Sequence, residues 1–229
     1  LMIRRPPRST RLNCRRQRQM CIRDRGGADP SAQSLDEALK FAPTLVAADG
    51  GADRALALGV VPEAIIGDLD SVSAAAIAQV GSDKVMEVFD QDRTDFEKSL
   101  AAIDAPFVIA VGFANGRLDH TLTVMSAMVQ EIGPPVILLG EDDIVFAAPL
   151  EVSLELEVGT RFSLFPMADI RGRSEGLEWP LDPHAFSPMG RIGTSNRVTG
   201  PVHMAFDAHG MLVITPRAAL GAVIASLTG

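Results

Sequence analysis

The sequence has no tyrosine, one tryptophan and two cysteines in 229 residues. A chain so poor in large aromatic side chains lacks the stacking platform on which proteins bind single-stranded nucleic acid. No apolar run approaches the roughly 20 residues that a membrane-spanning helix needs. Glycine (20 residues) and proline (15) are too few for a collagen-like or wholly disordered chain. These absences exclude the fibrous, disordered and membrane-spanning classes and predict one large domain or two small ones.

The charges and the cysteines are unevenly distributed. Residues 1–25 contain nine arginines and one acidic residue and carry +8, so the net charge of −8 leaves −16 on the other 204 residues. An acidic body is a poor partner for nucleic acid or an anionic membrane, although metal ions can mediate its binding of anionic substrates. Cys14 and Cys21 both lie in the basic segment. The body therefore has no disulfide, which predicts a cytoplasmic protein.

Residues 1–25 form a basic leader that we expect to be non-native or disordered. A nucleic-acid-binding arm would fit its charge, and a transit peptide would fit its arginines and its lack of acids. However, the leader has no apolar helical stripe, and Pro6-Pro7 interrupts its start. Residues 3–10 and 20–25 resemble translated sequencing adapters, which favours an origin outside the natural protein. We therefore expect residues 1–20 to make no specific packed structure.

The segment just before Gly26-Gly27 is poorly suited to a sheet interior. An apolar strand would be expected there, but the sequence has Cys21-Ile22-Arg23-Asp24-Arg25. We predict that this segment cannot serve as a buried central strand and that Met20–Arg23 forms at best a makeshift one.

Residues 26–145 predict an α/β domain that binds nucleotide and metal. Helical patterns alternate with five short apolar runs, which are the predicted strands 45–48, 64–66, 85–89, 107–111 and 136–139. This alternation favours a parallel sheet with helices on both faces. Thr94 and Glu97 have the spacing of a helix capping box. Two helices have predicted buried faces, Phe96, Leu100 and Ile103 in the first and Leu118, Leu122, Met125, Val129 and Ile132 in the second.

Residues 146–229 predict a smaller, all-β, sandwich-like domain. Period-two alternation replaces the helical pattern, and the only further helix expected is a short one near the C-terminus. Residues 202–206 and 211–215 flank Asp207-Ala208-His209-Gly210, which predicts a hairpin.

Carboxylates follow every predicted strand of the first domain. They are Asp49, then Asp68 and Asp70, then Asp90, Asp92 and Asp95, then Asp119, and finally Glu141, Asp142 and Asp143. A single aspartate in a loop is usually a cap or turn residue. Parallel strands, however, place their carboxyl ends on one edge, where ligands bind. So many negative charges repel one another unless a cation neutralises them.

The residue types favour magnesium and a phosphate ligand. In an extended segment Asp68 and Asp70 would point the same way and could share one hard cation such as Mg²⁺. A soft transition-metal site is not expected, because the body has no cysteine and its histidines are scattered. Gly50-Gly51 would let the backbone approach a ligand closely. Lys98 and Arg117 could bind phosphate oxygens or simply pair with the carboxylates around them.

In this combination the sequence resembles the thiamine pyrophosphokinase (thiamin diphosphokinase) family over about residues 26–229. The motifs that carry the resemblance are, in order, 48–52 (ADGGA), 66–71 (IGDLDS), 91–98 (QDRTDFEK), 116–120 (GRLDH), 176–181 (GLEWPL) and 193–196 (GTSN). The resemblance implies an α/β domain joined to a β-sandwich that binds substrate and forms a homodimer, with thiamine at the dimer interface. It implies Mg²⁺-dependent transfer of a pyrophosphoryl group from ATP to the thiamine hydroxyl, releasing AMP.

The resemblance also implies roles for individual residues. The metal ligands would be Asp49, Asp68, Asp70 and Asp95. ATP would be bound by Asp49, Gly50, Gly51, Gln91, Thr94 and Arg117. The catalytic set would be Asp70, Asp95, Asp119, Arg117 and Lys98, with Asp95 and Asp119 as candidates to take the hydroxyl proton. Trp179 would stack on the thiamine cation, and Ser195 and Asn196 would bond its pyrimidine.

Three other functions stay open at this point. A pyrophosphokinase for another hydroxymethyl heterocycle, such as a pterin, would use the same metal loops. A Mg²⁺-dependent phosphohydrolase would also need clustered aspartates. A thiamine-binding module without catalysis is the alternative that is not an enzyme.

Overall fold

The computed structural model describes the strand at residues 19–22 and residues 31–114 and 116–229. The expectations for residues 1–18 and 23–25 of the leader lie outside the described residues. The chain divides into two compact units, and the boundary falls between Leu139 and Gly140, with Met128–Gln130 grouped with the second unit. The sequence places this boundary six residues later, at 145/146.

The first unit contains a parallel sheet. Its strands are β1 (Gln19–Ile22), β2 (Thr44–Ala48), β3 (Ala64–Gly67), β4 (Val85–Glu87), β5 (Val108–Val111) and β6 (Val136–Leu139). Their order is β6-β5-β1-β2-β3-β4, and every neighbouring pair is parallel. All residues of β2, β3, β5 and β6 are buried, as expected for a parallel sheet covered on both faces. The predicted α/β class is confirmed.

The position of β1 corrects one prediction. We expected that the segment before Gly26-Gly27 could not serve as a buried central strand, that Met20–Arg23 forms at best a makeshift strand, and that residues 1–20 make no specific packed structure. The backbone of Gln19–Ile22 nevertheless pairs with β2 on one side and β5 on the other. A strand thus forms one residue earlier than predicted, and the expectations about its central position and about residues 19 and 20 were wrong. The reason is that ladder hydrogen bonds come from main-chain groups, which every residue except proline supplies in full.

The helices of the first unit are α1 (Ala32–Phe41), α2 (Gly51–Ala57), α3 (Ala74–Val80), α4 (Asp95–Ala102) and α5 (Leu118–Met128). The capping box of α4 is confirmed: the Thr94 hydroxyl accepts from the Glu97 N–H, and the Glu97 carboxylate accepts from the Thr94 N–H at 2.9 Å. Its predicted face, Phe96, Leu100 and Ile103, is buried. None of the helices in the described residues is both long and apolar enough to cross a membrane.

The predicted buried face of α5 is wrong. Leu118 and Leu122 are 72% and 55% exposed, whereas Thr121 and Val124 are buried. The polar Thr121 can turn inward because its hydroxyl donates to the Phe113 carbonyl oxygen at 3.1 Å. The helix is therefore rotated by about one residue from the orientation that its leucines indicate.

The second unit is rich in β structure, as predicted. Its strands are β7 (Asp143–Ala147), β8 (Glu151–Leu154), β9 (Arg161–Pro166), β10 (Ile170–Leu177), β11 (Ala185–Phe186), β12 (Gly193–Phe206) and β13 (Met211–Pro216), and its helix is α6 (Leu220–Thr228). The long strand β12 pairs with β9 near its start and with both β8 and β10 near its end. Beyond β9 the order continues through β13 to β7.

The predicted hairpin is wrong, although both of its strands exist. β9 lies between β12 and β13, so the two are not neighbours. The connection is held by other strands: Asp207 bonds to the backbone of Arg171 in β10, and the Gly210 carbonyl oxygen accepts from the Met167 N–H beside β9. These bonds carry the chain across β9 instead of folding it back on β12.

Candidate functional site

Three of the predicted carboxylates meet where the strands of the first unit end. Asp49 follows β2, Asp68 follows β3, and Asp95 begins α4 after β4. One carboxylate oxygen from each lies within 4.8 Å of the others. Asp49 is fully buried, and its Oδ2 accepts from the Ser71 N–H at 3.1 Å.

The close approach of β2 and β3 at this point needs a glycine. Asp49 has a φ of +43°, an unusual conformation for a residue with a side chain. A Cβ atom added to Gly67 would lie 2.9 Å from the Asp49 Cβ, closer than such atoms come in proteins. Gly67 therefore leaves the space into which the Asp49 carboxylate turns.

Lys98 is the cation of this group of carboxylates. Its Nζ lies 3.0 Å from Asp68 Oδ2 and 2.8 Å from Asp95 Oδ1, and its side chain is 2% exposed. Burial alone would lower the pKa of Lys98. The hydrogen bonds and negative charges of Asp95 and Asp68 outweigh burial, so its pKa lies above the ordinary value of 10.5. Lys98 thus stays charged at neutral pH.

The cluster has the composition of a divalent-cation site. Asp49, Asp68 and Asp95 supply three negative charges and Lys98 one positive charge, which leaves a charge of −2. Among the described residues, the buried Asp68 Oδ1 has no hydrogen-bond partner. A buried carboxylate oxygen without a partner is costly unless it binds a ligand. These residues fit a hard cation such as Mg²⁺, which prefers carboxylate oxygens.

Asp70 does not join the three carboxylates. The expectation that 68–70 is extended is wrong, because Leu69 has a φ of +63°. A left-handed residue breaks the alternation that would point Asp68 and Asp70 the same way. Asp70 is exposed, and its Oδ1 accepts from the Ser71 hydroxyl at 2.6 Å.

A cavity of about 280 Å³ lies beside the cluster. Of the predicted site residues, Thr94, Asp95 and Asp119 line it. The sequence interpretation missed the other lining residues, which are Ala48, Phe96, Phe113, His120, Thr123 and Val124. The rings of Phe96 and Phe113 are 4.7 Å apart, and both side chains are buried. Ala48, Phe96 and His120 lie within motifs of the family resemblance, but nothing in the sequence separates the apolar residues of this lining from the core.

Arg117 pairs with a carboxylate, which is one of the two alternatives that the sequence left open. Its Nε and Nη2 donate to the two oxygens of Asp119 at 3.2 and 2.6 Å, and both side chains are exposed. The hydrogen bonds that Arg117 donates to Asp119, together with the negative charge of that carboxylate, raise the pKa of Arg117. The fixed pair stands at the start of α5, at the rim of the cavity.

The remaining predicted residues of this region are dispersed. Gly50 and Gly51 are buried at the start of α2, directly after Asp49. Gln91 is exposed in the turn before α4. The fifth acidic loop, 141–143, belongs to the second unit, where Asp143 pairs with Arg161.

The residues predicted to bind thiamine occur together in the second unit. Trp179 is 54% exposed, which is unlike a core residue. The buried Asn196 side chain holds its main chain: Oδ1 accepts from the Trp179 N–H at 3.1 Å and Nδ2 donates to the Trp179 carbonyl oxygen at 2.8 Å. Ser195 precedes Asn196 with a φ of +64°. Strained backbone of this kind clusters at functional sites.

Comparison with known proteins agrees with this geometry. Residues 35–137 match the family model "Thiamin pyrophosphokinase, catalytic domain", and residues 149–210 match "Thiamin pyrophosphokinase, vitamin B1 binding domain". Thiamine pyrophosphokinase 3 of Oryza sativa subsp. japonica is 30% identical over 203 residues, covering 69% of this chain and 75% of its own. Thiamin pyrophosphokinase 1 of Caenorhabditis elegans is 29% identical over 155 residues, covering 60% and 63%.

Solved structures share the fold. Yeast thiamin pyrophosphokinase superposes with a TM-score of 0.67 at 17% identity, covering 92% of this chain and 89% of its own. Thiamine pyrophosphokinase from Bacillus subtilis gives a TM-score of 0.65 at 17% identity, covering 87% and 98%. The two matched models, the 30% identical relative and the shared fold lead to one assignment: this chain belongs to the thiamine pyrophosphokinase family.

Proposed function

We propose that the chain transfers a pyrophosphoryl group from ATP to the hydroxyl of thiamine, giving thiamine diphosphate and AMP in a Mg²⁺-dependent reaction. The observation that carries the proposal is the cluster of Asp49, Asp68 and Asp95 around Lys98, next to a cavity at the carboxyl ends of the sheet. Membership of the family supports the reaction class.

The proposed chemistry is an in-line displacement at the β-phosphorus of ATP. The hydroxyl oxygen of thiamine forms a bond to the β-phosphorus, and the bond between the β-phosphorus and the α–β bridging oxygen breaks. AMP leaves with that oxygen, and the thiamine hydroxyl loses its proton. Little covalent chemistry is required of the protein, so positioning and neutralisation of charge supply most of the rate.

The residues divide into three tasks. Asp49, Asp68 and Asp95 would hold Mg²⁺, with Asp70 completing the set when the triphosphate is bound. The metal would neutralise negative charge on the triphosphate oxygens. Gly50, Gly51, Gln91, Thr94 and Arg117 would position ATP, while Lys98 holds Asp68 and Asp95 in place. Asp95 and Asp119 both line the cavity and are the candidates to accept the hydroxyl proton.

In the second unit, Trp179 would stack on the positively charged thiamine, and Ser195 and Asn196 would contact its pyrimidine. The exposed indole supports this role, because a cation is attracted to the face of an aromatic ring. We further propose a cytoplasmic homodimer, which sedimentation of the purified protein and imaging of a tagged chain would test.

The deciding experiment measures the products formed from ATP with and without thiamine. We expect AMP and thiamine diphosphate in equal amounts, only when thiamine and Mg²⁺ are both present. Inorganic phosphate released without thiamine would indicate a phosphohydrolase. AMP formed with a hydroxymethyl pterin but not with thiamine would indicate the related pyrophosphokinase. Thiamine binding without turnover would indicate a binding module.

A further inference from the structure

We propose that Ser163 is a positioning residue that sets the conformation of Ser195 for thiamine recognition; this inference rests on the proposed function. Ser163 lies in β9 and is outside every motif by which the sequence resembles its family. The proposal comes from the way in which β9 and β12 pair.

The pairing contains a bulge at Ser195. Gly193 is opposite Leu164 and Asn196 is opposite Phe162, so two residues of β12, Thr194 and Ser195, face one residue of β9. That one residue is Ser163. An extra residue in one strand bends it and turns a side chain away from the regular alternation, and such bulges are frequent beside functional sites.

Ser195 takes up the distortion in its own backbone. Its φ of +64° is in the left-handed region, which a residue with a Cβ enters at a cost in free energy. Regular pairing would satisfy the Ser195 N–H through a main-chain oxygen. Here the Ser163 hydroxyl accepts from it, with an Oγ···N distance of 2.9 Å.

Ser163 is well placed to enforce this conformation. Its side chain is buried, with the residue 6% exposed, so water does not readily replace the hydroxyl. Its backbone is fixed on the other side by pairing with Ile214 of β13. Without the hydroxyl, the Ser195 N–H would lose its acceptor. The hydrogen bond that stabilises the left-handed conformation of Ser195 would then be absent.

Asn196 fixes the neighbouring Trp179 through two hydrogen bonds. The proposed thiamine contacts, Ser195 and Trp179, are therefore both held by side chains that act on their main chains. Of these two supporting residues, Asn196 is itself proposed to contact thiamine, whereas Ser163 is not. Substitution of Ser163 therefore tests positioning alone.

The test compares four variants of the full chain with the wild type: Ser163→Ala, Ser163→Thr, Ser163→Val and Ser195→Ala. Thr and Val have the same shape, but only Thr keeps the hydroxyl. Thiamine binding is followed by the emission of Trp179, the only tryptophan. KM for thiamine, KM for ATP and kcat are measured in parallel, together with thermal unfolding.

We expect Ser163→Ala and Ser163→Val to raise the Kd and KM for thiamine about fivefold, the change typical of losing one hydrogen bond. Ser163→Thr should bind thiamine more tightly than Ser163→Val. KM for ATP and kcat at saturating thiamine should not change. A merely structural role would alter the folded fraction and leave the KM for thiamine of the folded molecules unchanged.

A double variant shows whether Ser163 acts through Ser195. In the Ser195→Ala background, adding Ser163→Ala should raise the Kd for thiamine by less than the fivefold increase expected in the wild-type background. An undiminished effect there, or unchanged thiamine affinity in Ser163→Ala alone, would overturn the positioning role. If Ser195→Ala leaves thiamine affinity unchanged, the proposed thiamine contact is wrong and the positioning role falls with it. If the wild type binds no thiamine, the proposed function itself is wrong.

Discussion

At the scale of single residues, Gly67 is a position where a small change in volume should disturb the carboxylate cluster. A methyl group there would lie 2.9 Å from the Asp49 Cβ. We expect Gly67→Ala to displace Asp49, to lower the free energy of unfolding by about 1–3 kcal/mol and to weaken Mg²⁺-dependent AMP formation at least tenfold. Chemical unfolding and the AMP assay measure these effects.

The matched control for this change is Gly200→Ala, because an added Cβ at Gly200 meets no atom within 4 Å. Activity in Gly67→Ala equal to that of the Gly200→Ala control would show that Asp49 does not need its present position.

Asp70 offers a second test at this scale, because it lies outside the carboxylate cluster. If it completes the metal and triphosphate site on binding, Asp70→Asn should abolish transfer. The melting temperature should stay unchanged, since Asp70 is an exposed residue in a loop. Product formation by the variant near the wild-type rate would remove Asp70 from the catalytic set.

Trp179 is the residue whose substitution should separate the two substrates. If Trp179 stacks on thiamine as proposed, Trp179→Ala should remove a cation–π contact of about 1–2 kcal/mol, and the KM for thiamine should rise about tenfold while the KM for ATP stays constant. Trp179→Phe keeps an aromatic face and should lose less. Equal KM values for thiamine in all three proteins would mean that the indole does not touch thiamine.

Residues show how far the sequence alone could go. Asp49, Asp68 and Asp95 could be grouped from their positions after successive strands, because parallel strands end on one edge. The direction of the Asp70 side chain could not be predicted, because nothing in the sequence indicates that Leu69 has a left-handed conformation. Ser163 gave no signal either, because a serine in a strand is chemically unremarkable until its neighbour's backbone is known.

At the scale of elements, the capping box at the start of α4 links a motif that is visible in the sequence to the carboxylate cluster. Its capping box orders the turn that carries Asp95 and Lys98. Thr94→Ala should cost about 1 kcal/mol of stability and should also lower activity, because fraying moves both charged side chains. Ser31→Ala removes the cap of α1, in which the Ser31 hydroxyl accepts from the Ser34 N–H at 3.1 Å, and should cost similar stability with no change in activity.

Measured melting temperatures and kcat values for Thr94→Ala, Thr94→Ser and Ser31→Ala separate the local effect of the Thr94 hydroxyl from an effect of global stability. Recovery of both stability and activity in Thr94→Ser is the expected result. Equal loss of activity in Thr94→Ala and Ser31→Ala would mean that activity follows global stability alone.

Elements also mark where sequence interpretation fails. The α4 face was predictable, because its apolar residues agree with its helical period. The α5 face was not, since two of its leucines are exposed and a hydrogen-bonded threonine is buried in their place. Strand pairing failed for a related reason: Asp207 and Gly210 suit a tight turn, but their bonds to neighbouring strands send the chain across β9.

At the scale of the whole molecule, we expect the negatively charged cluster to make the stability of the chain dependent on Mg²⁺. Folding brings three carboxylates and one ammonium together, so Mg²⁺ should bind the folded chain in preference to the unfolded one, in which these groups are dispersed. At 100 times its Kd, Mg²⁺ would add about 2.7 kcal/mol to the free energy of unfolding. For a chain of this size, the melting temperature should rise by about 5–11 °C.

The site of this effect is identified by removing one charge at a time. Asp68→Asn should lose most of the rise in melting temperature with Mg²⁺, whereas Glu157→Gln, an exposed acid in the second unit with the same change in charge, should keep it. Sodium chloride at matched ionic strength should give no comparable rise, because general screening lacks the coordination that the carboxylates provide. An equal response of the two variants would place the stabilising cation elsewhere on the acidic surface and would mean that Asp49, Asp68 and Asp95 do not bind it.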